Sequence, residues 1–249
     1  MARSLRRVGA GQLTREVLEA PKRVGSEGFG QDPRKFPLTA LDDWSNLAAM
    51  TELAKDLGTR ERILEVGAQL VAEKSFNGCG LAEILSRAGV PKGSFYHYFG
   101  SKEEFGVALV EKACEEYVEF LRPIVSDRKR SALARLRAVF EQGREECLAN
   151  GAARQCLIPK LALETGQLSE PVHAAVKWAY DQWSALLARV IREAQADGEI
   201  GRRHDPDRLA DMLVMMWEGA TIRMQIDRSL QPVDDFLAFV FDSLLTERS

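Results

Sequence analysis

Between residues 78 and 104 the chain carries two short runs of helical periodicity with one glycine-centred turn between them. Leu81, Ile84, Leu85 and Ala88 recur at helical spacing, so the first run has one apolar face. Gly89 follows, and it can adopt the left-handed conformation that ends a helix without a Cβ clash. Val90 gives the turn an apolar anchor, and Pro91 suits the first turn of the next helix, where its missing N–H is not needed. On that helix Phe95 and Phe99 are spaced to share a buried face. At about 100° per residue, Gly93 and His97 point away from that face, with Ser94 beside them. Lys92 and Tyr96 flank one side and Tyr98 the other. Ser101-Lys102-Glu103-Glu104 is a capping box that starts another helix directly after Gly100.

From Ser101 onward the periodicity is helical throughout. Phe105, Val107, Ala108, Leu109, Ala113, Val118, Phe120 and Leu121 predict a long helix ending near Pro123. A second spans about Ser131 to Leu148, with Leu133, Leu136, Val139 and Phe140 inward, and Asn150-Gly151 stops it. A short helix follows from Cys156 to about Thr165, and a long one runs from Pro171 to Ala196. Asp205-Pro206 pairs an N-cap with a first-turn proline and opens a helix to about Asp227. Pro232 opens the last, with Phe236, Phe239, Val240 and Leu244 apolar. No strand-like alternation and no repeat interrupts this pattern, so the fold class is all-α.

Residues 1–49 differ: scattered Gly, Pro and Arg with little apolar periodicity. Such a stretch does not bury a core. It reads as a disordered extension or as an over-called start with Met50 as the true first residue. A basic arm is the weaker alternative, because its acids nearly balance its lysines and arginines. The expected division is 1–49 extension, 50–104 helix-turn-helix domain, and 105–249 helical regulatory and dimerisation domain.

The polar face of Lys92, Gly93, Ser94, Tyr96, His97 and Tyr98 is the chemistry to explain. It offers an imidazole, a hydroxyl, two phenols and an ammonium, with a mid-helix glycine that weakens the helix by about 1 kcal/mol against alanine. A bracing helix followed by such a helix is the arrangement in which the second enters the DNA major groove. Lys102, in the first turn of the next helix, is electrostatically disfavoured unless an anion lies near, and a phosphate is such an anion.

Composition narrows the partners. The chain has 249 residues, is 45 % hydrophobic and carries a net charge of −3, so double-stranded DNA would be held by a few placed groups rather than by bulk charge. No run reaches membrane-spanning length, and no apolar segment follows the N-terminal arginines as in a secretory signal. Four irregularly spaced cysteines then argue for reduced thiols in a cytoplasmic setting, and with three histidines and no CxxC pair no metal site or cofactor is expected. There is no nucleophile elbow, phosphate loop or HExxH, and the adjacent acids Glu103-Glu104 and Glu115-Glu116 diverge on a helix, so an enzyme is not expected.

The stretch Thr59 to Lys102 resembles the DNA-binding domain of the tetracycline-repressor (TetR) family of bacterial regulators. Thr59-Arg60-Glu61-Arg62-Ile63-Leu64, with Phe76 and Gly78 beyond, is similar to the family opening. Gly89-Val90-Pro91-Lys92-Gly93-Ser94-Phe95-Tyr96-His97-Tyr98-Phe99, then Ser101-Lys102-Glu103, is similar to its signature. The resemblance implies DNA contacts from Lys92, Tyr96, His97, Tyr98 and Lys102, a homodimer on a palindromic operator, and a small-molecule inducer. One departure stands out. The family usually opens its second helix with Thr or Ser, donating to a phosphate. Here Cys79-Gly80 stands there, so that contact falls to backbone N–H groups or is lost.

Two features of the C-terminal half bear on sensing. In the penultimate helix Leu209, Met212, Leu213, Met215, Met216, Trp217, Ala220, Ile222 and Met224 nearly encircle the axis, which predicts burial on several sides and a four-helix dimer contact with the last helix. Trp178, Trp183 and Trp217 are either core or the lining of a ligand cavity. Arg223 either pairs with Glu218 or another acid, or meets a carboxylate ligand. Cys147 and Cys156 flank a loop-like link, and Arg154 favours a thiolate at Cys156. Arg154-Gln155-Cys156-Leu157 and Trp217-Glu218-Gly219-Ala220 resemble a branch of the family that responds to electrophiles or small unsaturated acids. Both non-covalent binding and thiol modification stay open as the releasing event.

Overall fold

The computed structural model describes residues 58–150, 157–165 and 169–246. Among them the regular elements are helices: α1 (Thr59–Lys74), α2 (Leu81–Ala88), α3 (Lys92–Tyr98), α4 (Lys102–Ser126), α5 (Ala132–Asn150), α6 (Leu157–Thr165), α7 (Glu170–Ala196), α8 (Pro206–Asp227) and α9 (Gln231–Phe239), which continues into a π-helical turn, Val240–Leu244. The expectations for residues 1–49 and for Arg154 and Cys156 lie outside the described residues.

The helix ends follow local chemistry. Gly89 takes φ 64° and ends α2, with the Val90 N–H returning to the Leu85 carbonyl at 3.0 Å. Ser101 Oγ accepts from the Glu104 N–H at 3.0 Å, and the Glu104 carboxylate accepts from Gly100 N–H at 2.8 Å. The reciprocal arm of the capping box thus lands one residue upstream of the N-cap. Asp205 caps α8 through the N–H groups of Asp207 and Arg208. Leu133 N–H is capped from a distance by Glu199 at 2.9 Å.

Pro123 does not end α4, which runs on to Ser126. The proline sits on the solvent side of the last turn, while Leu121 and Val125 are buried and hold that turn against the core. The cost of the lost backbone bond is met by packing.

Two cores share α4 and α7. The first gathers Ile63, Leu64, Leu70, Phe76, Ile84, Leu85, Phe95, Phe99 and Phe105, and draws in Leu109 of α4, Leu161 of α6 and Val172 of α7. The second gathers Leu136 and Phe140 of α5, Leu187 and Ile191 of α7, Leu213 and Trp217 of α8, and Phe236 and Val240 beyond. At Gly67 of α1 a Cβ would lie 2.2 Å from the Phe105 ring, so glycine opens the notch that the ring fills. Arg135 is buried; it donates to the Val125 carbonyl at 2.7 Å and to Glu193 at 2.6 Å, tying α5 to the end of α4 and to α7.

Candidate nucleic-acid interface and regulatory core

The polar face of α3 is outward. Phe95 and Phe99 are both buried, their rings 5.2 Å apart, and pack on Phe105 at 5.8 and 5.3 Å. Pro91 is the N-cap, not the first helical residue, and its carbonyl accepts from Ser94 N–H at 2.9 Å. Lys92, Gly93, Tyr96 and His97 are exposed, and Ser94 is half-buried. Tyr98 is half-buried against the first core and stands edge-on to His97 at 4.9 Å, so it supports the imidazole as well as edging the face. Gly93 has no positive φ, and a Cβ there would meet nothing of this chain within 4 Å. The chain's own packing therefore does not require glycine at the position that a groove wall would approach.

Beside α3 lies the start of α2. Gly80 is its N-cap and gives no side-chain bond; its carbonyl takes the N–H groups of Glu83 and Ile84, and the N–H groups ahead of them have no capping side chain. The Lys102 ammonium donates to the Cys79 carbonyl at 2.7 Å and stands 4.9 Å from the centre of the Phe76 ring. Lys102 thus holds the loop ahead of α2 and keeps two further N–H donors for an anion. Cys79 is buried, and burial raises its thiol pKa. The sequence pattern could not show this strut, because its partner is a backbone carbonyl distant in sequence.

The regulatory core separates the predicted sensing residues. Trp217 is buried against Phe140 and Phe236, both at 5.4 Å, and over Gly143, where a Cβ would come within 2.6 Å of the indole. Trp183 is buried edge-on to Tyr117 at 5.6 Å, and its indole N–H finds no acceptor among the described residues. Trp178 is 40 % exposed and takes no part in that core. Arg223 does not pair with Glu218. It pairs with Asp227 at 2.8 Å on the solvent side of α8. It lies six residues from Trp217, a rotation of about 240° that carries it away from the indole. Cys147 is half-buried, and burial first, then Glu146, pushes its thiol up to about 11.

Glu218 is the residue that the sequence reading missed as a site. It is half-buried on the flank of α8, no described ion pair or hydrogen bond reaches its carboxylate, and burial pushes its pKa up to about 7. The signal was its place four residues after the core residue Val214. Opposite Trp217, α8 carries an exposed apolar ridge of Met212, Met215, Ile222 and Ile226, with Phe239 of α9 exposed as well.

A bracing helix, a tight turn, an outward reading helix and a helical body behind them define a helix-turn-helix regulator. Residues 63–109 match the description "Bacterial regulatory proteins, tetR family", and residues 132–240 match "Tetracyclin repressor-like, C-terminal domain". The chain is 36 % identical over 176 residues to Transcriptional regulator AcuR of Cereibacter sphaeroides, covering 71 % of this chain and 80 % of that one. It is 34 % identical over 188 residues to HTH-type transcriptional repressor NemR of Escherichia coli, covering 76 % and 94 %. The crystal structure of reduced E. coli NemR superposes with a TM-score of 0.70 at 34 % identity, over 74 % of this chain and 95 % of that one. The chain belongs to the TetR family of bacterial transcriptional regulators. None of its described helices is long and apolar enough to cross a membrane.

Proposed function

We propose that the protein is a homodimeric repressor that binds a palindromic operator and leaves it when a small molecule occupies the helical body. The observation that carries this reading is the outward face of α3, with Lys92, Gly93, Ser94, Tyr96 and His97 set on a rigid aromatic platform. Residues 50–104 serve as the DNA-binding part and residues 105–249 as the regulatory and dimerising part, acting in the cytoplasm without a cofactor. The apolar ridge of α8 with Phe239 supports a two-fold contact, and a dimer presents two reading helices about 34–36 Å apart, one helical turn of DNA.

For the inducer, the indole N–H of Trp183 and the half-buried Glu218, neither partnered among the described residues, supply a donor and a carboxyl in the body, and these support non-covalent release. Thiol modification is the second reading, favoured by the similarity to NemR, whose structure is described as a reduced form. Cys147 supports it poorly, because a thiol at about 11 is scarcely ionised near neutral pH. The test is selection from a random duplex pool, followed by gel shift with competitor DNA. An inverted repeat should be enriched; a pool that stays random overturns the reading. Release by maleimide or oxidant that survives Cys147→Ser with Cys156→Ser removes these two thiols as the sensor.

A further inference from the structure

The charges of the DNA-binding head fall into two groups. Lys74 pairs with Glu83 at 2.6 Å, and Arg87 pairs with Glu73 at 3.0 Å and Glu83 at 3.5 Å. These cations are neutralised by the head's own carboxylates. Arg60 is not. Among the described residues no acid reaches it, and its single aromatic partner is Phe99. The guanidinium stands 5.3 Å from the centre of the Phe99 ring. Phe99 is the residue that follows α3, in extended conformation, directly after Tyr96, His97 and Tyr98. Arg60 is exposed, in the first turn of α1, where a cation is disfavoured by the helix dipole unless an anion offsets it.

We infer that Arg60 contacts a DNA backbone phosphate at the C-terminal end of the reading helix. α3 enters the groove with its outward face, so the strand bordering its C-terminal end passes beside Phe99. The Phe99 ring is held by Phe95 and Phe105 and gives the guanidinium a cation–π seat, while Arg60 stays exposed and its N–H donors have no acid among the described residues. A planar fork seated on an aromatic ring, with no acid reaching it among the described residues, is suited to phosphate oxygens. Together with Lys102, which stands by the N-terminus of α2, Arg60 gives the head a phosphate contact from a different helix, α1. This inference rests on the proposed DNA binding.

The test measures affinity of the full chain against salt concentration on two probes: the duplex selected by the wild-type protein, and a random-sequence duplex. Arg60→Met keeps an apolar cover on Phe99 and removes the charge; Arg60→Lys restores the charge. Arg60→Met should weaken both probes by a similar factor and lower the salt slope by about 0.9 per protomer. Arg60→Lys should recover most of the slope. A slope unchanged in Arg60→Met, with melting temperature as in the wild type, overturns the contact and leaves Arg60 as a cover for Phe99. Loss on the selected duplex alone also overturns it, because that result marks a base reader. Failure of the wild-type protein to bind either duplex instead sinks the proposed function.

Discussion

Met215→Glu places a carboxylate in the middle of the α8 ridge. Met212, Met215, Ile222, Ile226 and Phe239 leave between 47 and 68 % of their surface open. At roughly 200 Å² for a whole large apolar side chain, that amounts to about 550 Å² per protomer. A stable interface buries about 800 Å² per partner, so these five side chains would supply most of its apolar centre. Covering both copies is worth roughly 25 kcal/mol before the cost of association, which is about 4–15 kcal/mol. Met215 is 59 % exposed, so the pair of methionines contributes roughly 6 kcal/mol of that. Replacing them with two unpaired carboxylates forfeits this term and adds a desolvation penalty. The dimer dissociation constant should rise by at least about two orders of magnitude, allowing for half of that surface staying wet. Sedimentation equilibrium at micromolar protein reads the change directly, with circular dichroism confirming an intact monomer and Met215→Leu as the control. Binding to the selected duplex should fall with dimerisation, because a monomer engages a single arm. If Met215→Glu still sediments as a wild-type dimer, the ridge is not the contact and the two-fold arrangement must be rebuilt elsewhere.

His97→Ala should cost about 1–3 kcal/mol on the selected duplex and little on random DNA; equal losses on both would remove His97 as a reader. Lys102→Ala should weaken every duplex, lower the salt slope by about one unit per protomer and also lower the melting temperature, since the Cys79 carbonyl loses its donor. A fall in melting temperature with the slope intact would leave the strut and discard the phosphate contact. Glu218 gives a pH test. Its folded pKa, pushed up to about 7, lies above the ordinary 4.5, so the native state holds the proton more tightly and stability falls as pH rises through that window. The loss is at most about 3 kcal/mol. Glu218→Gln should be flat between pH 5 and 8 and melt several degrees higher at pH 8, and parallel melting curves would refute the buried, unpaired carboxyl.

The helix-turn-helix was legible because its determinants are local: spacing of Leu81, Ile84, Leu85 and Ala88, a glycine able to take positive φ at 89, and aromatic residues four apart at 95 and 99. The caps at Ser101 and Asp205 were legible for the same reason. Pro123 misled, because its cost depends on which side of the helix faces solvent, and burial of Leu121 and Val125 decided that. The sequence leaves Arg223 between an internal acid and a ligand, and the structure pairs it with Asp227, one turn on. Its neighbours in sequence are apolar, but rotation about the axis separates it from Trp217, and the composition of a segment does not carry that rotation. Lys102 on Cys79, Arg60 on Phe99 and Arg135 on Glu193 are contacts between elements, set by tertiary packing that no spacing rule encodes.

The notch at Gly67 has a consequence for inheritance and engineering. Phe105 fills it from α4, and the same core reaches Leu161 and Val172 on helices of the C-terminal body. A head cut from the chain after residue 104 would carry an empty socket at its centre. Recombination with another family member therefore has to transplant the reading helices together with the first turns of α4 and the side chains from α6 and α7 that close over them. Such a chimera succeeds as a set of matched surfaces and fails as a linear segment, so in this scaffold residues on the exposed face of α3 can be changed with less disturbance to the core than heads can be exchanged.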